Sequence, residues 1–160
     1  MKKYIIVLGV LIVITGGIWI YVARDKTANV TDIKQVFNDQ GFSISEGSKS
    51  LSGEYIPDTS NLDLGIKVYP GAKIISDKGA AENLNFSGTK VTAATYTTSD
   101  SRDKVEKYYQ NQIGSDAIVA EAVDGSMKYR VIKSKTDIGS FVNVWVEDDT
   151  TYFTIIKPVS

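Results

Sequence analysis

The chain has 160 residues, enough for one ordinary domain and an appendage, and its 18 cations almost balance its 19 anions. That balance leaves no electrostatic footprint for nucleic acid. Cys and His are both absent, which excludes disulfides, thiolate or imidazole metal sites, cysteine nucleophiles and every triad with a histidine base.

Met1, Lys2 and Lys3 precede Tyr4–Val22, nineteen residues without a charge. As a helix this run spans about 28 Å, close to the hydrocarbon thickness of a bilayer. A cleaved leader would carry an apolar core of roughly 7–15 residues and small side chains at the cut. Here the run is longer and ends on Trp19-Ile20-Tyr21-Val22-Ala23-Arg24, so residues 1–26 are expected to be an uncleaved transmembrane anchor. Lys and Arg near the membrane tie between the two sides, and the free amino group tips the N-terminus to the cytoplasm. The rest of the chain is then extracytoplasmic. Gly9 and Gly16 fall on one face of this helix and are candidate packing positions for a partner helix.

Residues 27–63 read as a linker. Within it Thr31 to Gln40 can form a short helix, because Ile33, Val36 and Phe37 are spaced i, i+3, i+4 and Gly41 can stop it. Ser43 to Asn61 is rich in Ser, Gly, Glu and Asp and reads as a flexible tether. Beyond the anchor the chain carries 14 cations and 18 anions, a net of −4 that favours solubility and names no ligand.

Residues 64–160 carry regular signals. Ile66–Tyr69 runs into the turn dipeptide Pro70-Gly71, and Ala72–Ser76 resumes as a strand. Leu84–Phe86 and the β-branched run Val91–Thr98 are the next strands. Asp100 or Ser99 can cap a helix whose inner face is Val105, Tyr108, Tyr109, Gln112 and Ile113, and Gly114 ends it. Four strands follow, Ala117–Val123, Met127–Lys133, Ser140–Glu147 and Thr151–Lys157, joined by turns short enough for an antiparallel meander. The expected fold is α+β: a twisted antiparallel β-sheet of about seven strands, ordered β-β-β-α-β-β-β-β, with one long helix on a face.

Tyr69-Pro70-Gly71-Ala72-Lys73, the strand end Thr97-Thr98-Ser99-Asp100, and Val105 with Tyr108-Tyr109 form an ordered set over about residues 64–157. The set resembles a family of small prokaryotic membrane-anchored or secreted proteins with a YPGA turn and a T-x-D…V…FY helix start. The resemblance implies a fold and a location and no activity. Tyr108 stands where that pattern usually carries Phe.

Without His or Cys, catalysis would fall to carboxylates, Lys, Tyr or Ser. Three acidic sets stand out: Glu147 with Asp148-Asp149, Asp100 with Asp103, and Asp58 with Asp63. Turn geometry explains the first, helix capping the second, and the third lies in the tether. Ser-Lys pairs at Ser48-Lys49-Ser50 and Ser134-Lys135 sit in polar stretches, where a lysine keeps its proton. The acidic loops lack a calcium-loop pattern and the glycines form no phosphate loop, so no metal or cofactor is expected. The sequons Asn29-Val30-Thr31 and Asn85-Phe86-Ser87 matter only in a host that glycosylates its outer surface.

The sheet offers a stronger lead. Alternation in the strand 140–147 puts Val142, Val144 and Val146 on one face and Phe141, Asn143 and Trp145 on the other. With the valines under the helix, Phe141 and Trp145, joined by Tyr129 and Tyr152, become candidate contacts for a ligand or partner. Cover by residues 27–65, or ordinary cross-strand aromatic pairing, would account for the same residues. The reading that follows is a non-catalytic, membrane-anchored accessory or protein-binding subunit of an envelope complex. A carbohydrate- or cell-wall-binding module stacking on Trp145 and the tyrosines is the alternative, and a carboxylate hydrolase would need two acids converging in a cleft.

Overall fold

The computed structural model describes residues 33–37, 40–46, 49–75, 81–86, 88–124, 127–136 and 139–159. The expected anchor Tyr4–Val22, with Gly9 and Gly16, lies outside the described residues. Among the described residues no helix is long and apolar enough to cross a membrane.

Among the described residues ten strands form one antiparallel sheet and a single helix packs on it, an α+β fold. In chain order the elements are β1 (Ile33–Phe37), β2 (Gly41–Glu46), β3 (Lys49–Tyr55), β4 (Lys73–Ile74), β5 (Ala81–Phe86) and β6 (Thr89–Thr98). Then come α1 (Arg102–Ile113), β7 (Ala117–Asp124), β8 (Met127–Ser134), β9 (Phe141–Glu147) and β10 (Thr150–Val159). Across the sheet the order is β1-β2-β3-β5-β6-β10-β9-β8-β7, and β4 pairs with β6 beside β5. The last four strands are the expected meander, with β10 closing it against β6.

Two expectations for residues 27–63 are corrected. Ile33–Phe37 is a strand paired with β2, where a short helix was expected. Five residues at i, i+3, i+4 spacing cannot decide between the two periods, and the ladder partner decides it here. The Ser-rich tether is also partly sheet: β2 and β3 pair from Gly41↔Glu54 to Glu46↔Lys49. An antiparallel sheet tolerates polar residues on a wetted face, so polar composition does not exclude a strand. A Cβ on Gly41 would lie 1.9 Å from the Gly53 carbonyl oxygen, which ties the close approach of β2 and β3 to glycine.

Ile66–Tyr69 is not a strand, for a reason visible in α1. Gln112 clamps Lys67 from both sides, its Oε1 accepting from the Lys67 N–H and its Nε2 donating to the Lys67 carbonyl, each at 2.9 Å. The Tyr109 hydroxyl accepts from the Tyr69 N–H at 3.0 Å, and the Tyr108 hydroxyl donates to the Val68 carbonyl. Helix side chains thus take the place of a ladder partner and satisfy this backbone. The segment then turns at Pro70-Gly71, where the Ala72 N–H donates to the Tyr69 carbonyl and Gly71 has φ +75. Proline at the second and glycine at the third turn position is the type II arrangement.

The helix-side core joins Val105 and Tyr109 to Ile132, Val142, Val144, Phe153 and Ile155, all buried. Phe153 is its centre. Tyr96 stacks on it at 5.4 Å between centroids, and Tyr109 and Tyr69 meet it at 5.6 and 6.4 Å. Ser101, not Asp100 or Ser99, is the N-cap residue of α1, and its side chain makes no capping bond. Asp100 instead accepts from the Tyr69 hydroxyl at 2.9 Å and from Lys104 at 2.7 Å, so it fastens the YPGA turn to the helix start.

Candidate functional site

Alternation holds for two of the three valines of β9 expected under the helix, whereas Val146, near the end of the strand, is 47% exposed. Val142 and Val144 are fully buried under α1. Phe141, Asn143 and Trp145 point to the opposite face, which carries no helix among the described residues. In register, Asn143 lies between Thr154 of β10 and Val131 of β8, and Thr154 lies beside Thr95 of β6. Trp145 sits opposite Tyr152, and the two rings stack with centroids 5.6 Å apart and planes 14° from parallel. Tyr129 is on this face as well, two residues before Val131. The structure therefore brings Phe141, Trp145, Tyr129 and Tyr152 onto one face, as expected.

Their exposure differs from the expectation of an open aromatic platform. Trp145 is 6% exposed and Tyr129 3%, while Phe141 and Tyr152 are half-buried. One face of the indole is taken by Tyr152, so much of this cluster is cross-strand packing.

What alternation alone did not single out is the polar row in the middle of the face. The Thr95 and Thr154 hydroxyls bond each other at 2.9 Å. Asn143, next in the row, is 0% exposed, and neither its Nδ2 nor its Oδ1 has a hydrogen-bond partner. A buried polar group left unpaired costs about 1–3 kcal/mol, so an uncompensated amide in a strand reading Phe-Val-Asn-Val-Trp-Val is conspicuous. The signal was in the sequence as the polar residue in a run of apolar ones.

Nearer β3, the same face carries Leu51, Leu84, Ala93 and Ile156, with Tyr55, Val91 and Phe141 packed against them. Glu82 of β5 sits in register between Tyr55 and Ala93, 2% exposed, with its Oε1 unpartnered. Burial pushes its carboxyl up to about 7. The sequence reading began this strand at Leu84 and did not single out Glu82.

The acidic sets are held in other bonds. Asp148 and Asp149 have φ of 47 and 59, the left-handed pair of a tight hairpin turn. Asp58 accepts from the N–H and hydroxyl of Ser60, and Asp63 from the Gly65 N–H and Lys157. Ser134 of the imagined Ser-Lys pair donates to Asp116, as Thr136 does, and these bonds hold the Asp116 carboxyl below the usual range. Ser48 lies outside the described residues, as do Asn29 and Ser87 of the two sequons. Among the described residues no three Asp or Glu converge on one point.

A concavity of about 410 Å³ opens at the C-terminal end of α1, lined by Gly65, Gln112, Asp116, Ser134, Ser140 and Lys157. Its polar groups serve the fold: Ser140 donates to the Leu64 carbonyl, Lys157 pairs with Asp63, and Gln112 holds Lys67. Comparison with protein-family models, with curated proteins and with solved structures finds no match. What this molecule does has to be read from its side chains.

Proposed function

We propose that the chain is a single-pass membrane protein with a cytoplasmic N-terminus, whose extracytoplasmic α+β domain binds a protein partner and serves an envelope complex as a non-catalytic accessory subunit. The anchor rests on the uncharged run Tyr4–Val22. The contact surface is the sheet face opposite α1, reached through its half-buried members Phe141 and Tyr152, with Trp145 and Tyr129 buried beside them. The observation that carries it is Asn143, fully buried and without a hydrogen-bond partner beside a stacked Trp-Tyr pair. Keeping such an amide costs stability, and a contact function is a reason to keep it.

The test is site-specific photo-crosslinking in native membranes from Tyr152, half-buried on this face, with exposed Lys107 on α1 as the control. The expected result is one defined protein captured from position 152 and not from 107, lost on Asn143→Leu, with the Met1–Arg24 peptide intact by mass spectrometry. Equal capture from both positions, capture of saccharide alone, or a terminus cut near Ala23 would overturn the reading. Saccharide capture would favour a cell-wall-binding module.

A further inference from the structure

Glu82 is a buried carboxyl that the proposed contact surface does not use. It lies where two parts of the sheet meet. In the strand order, β1, β2 and β3 reach the remainder of the sheet through the β3–β5 ladder, Leu51↔Phe86 to Tyr55↔Glu82, with the Ile56 N–H donating to the Ala81 carbonyl at its end. Glu82 occupies the last rung of that ladder and faces Ala93 of β6 on its other side. The side chains on its face are those of the Leu51, Leu84, Ala93 and Ile156 cluster, which holds β3 to β5, β6 and β10.

Among the described residues facing it, β3 offers the titratable Tyr55, β6 offers Val91, Ala93 and Thr95, and β10 offers Ile156. None is a cation. No described ion pair includes Glu82, and its Oε1 has no hydrogen-bond partner. A neutral carboxyl fits such a site, whereas a carboxylate has to recover water. Separating the cluster that joins β3 to β5 would give its Oε1 that water.

We propose that Glu82 is a pH-responsive latch: protonated, it lets β1–β3 stay closed on the sheet, and its ionisation loosens them at the β3–β5 ladder. This does not depend on the partner-binding reading. Burial already raises the carboxyl to about 7, which places the transition near neutral pH. The sign follows from linkage: the folded state binds the proton more tightly than the unfolded one, so stability falls as pH rises from about 4.5 to 7 and levels off above.

The test is hydrogen exchange of the full chain in detergent micelles at pH 5.5 and 8, as protection factors corrected for the intrinsic pH effect. The β3 and β5 amides are expected to lose at least tenfold protection at pH 8 while β9 keeps its own. Glu82→Gln, with Glu82→Leu as a second neutral variant, is expected to remove the difference. Persistence of the loss in both variants, an equal loss in β9, or no loss in the wild-type chain would overturn the proposal.

Discussion

Val142 and Val144 point from β9 toward the helix and meet Val105, Tyr109, Ile132, Phe153 and Ile155. Asn143 and Trp145, alternating with them, point the other way into a buried row of Thr, Asn and aromatic side chains. On the helix side Tyr109 brings its partner in the Tyr69 N–H, and the buried Arg102 Nε and Glu106 Oε1, without other hydrogen-bond partners, pair with each other at 3.1 Å. On the far side two buried groups, Asn143 and Glu82, have polar atoms with none. The contrast separates residues that hold the fold from residues the fold carries at a cost, and the second class is where function is sought.

The comparison sharpens first at its strongest point. Phe153→Ala should cost about 3–5 kcal/mol in urea unfolding, because three tyrosines and the floor of α1 lose their common neighbour. A cost below about 1 kcal/mol would mean that the helix-side core is not what stabilises the sheet. Next is Glu82. Raising its carboxyl from 4.5 to about 7 corresponds to about 3 kcal/mol of stability lost as pH rises across that interval. Measured against pH, the wild-type chain should lose that amount relative to Glu82→Gln, and parallel curves would contradict it. Glu106 is also raised by burial, but both proteins share it and it cancels in the difference.

A smaller effect is expected at Asn143. Asn143→Leu should raise stability by about 1–2 kcal/mol, since it removes two unpaired polar atoms from a fully buried site. The smallest lies in the β9–β10 turn, away from both faces. Asp149→Gly should stabilise by about 0.5 kcal/mol, because glycine adopts the left-handed φ of 59 more readily than Asp. A lowered rather than raised thermal midpoint would show that Asp149 has a contact the turn geometry does not explain.

Much of the C-terminal two thirds was legible. Val91–Thr98, the helix with its Val105–Tyr109 face, and the four-strand meander follow from alternation and turn residues, and the structure places them within a few residues of where the pattern does. That Val142 and Val144 face α1 while Phe141 and Trp145 face away from it was legible for the same reason; the exposure of Val146 and the burial of Trp145 were not. The first third was not, because Ser and Gly in β2 and β3 look like a tether until a neighbouring ladder claims them. Ile66–Tyr69 looks like a strand, but its backbone partners are side chains forty residues away, which no local pattern reveals. Asn143 could be read as a polar residue out of place. That both its amide atoms lack partners depends on what neighbouring strands present, and only the register shows it.

The central claim is that the sheet face opposite α1 is a contact surface, with Asn143 retained for contact rather than for the fold. The most direct measurement pairs two readouts on Asn143→Leu in the full chain: unfolding free energy in detergent, and crosslink yield from position 152 in native membranes. The account predicts that stability rises while capture from position 152 falls severalfold. A variant that is less stable, or one that is more stable with capture unchanged, would contradict it.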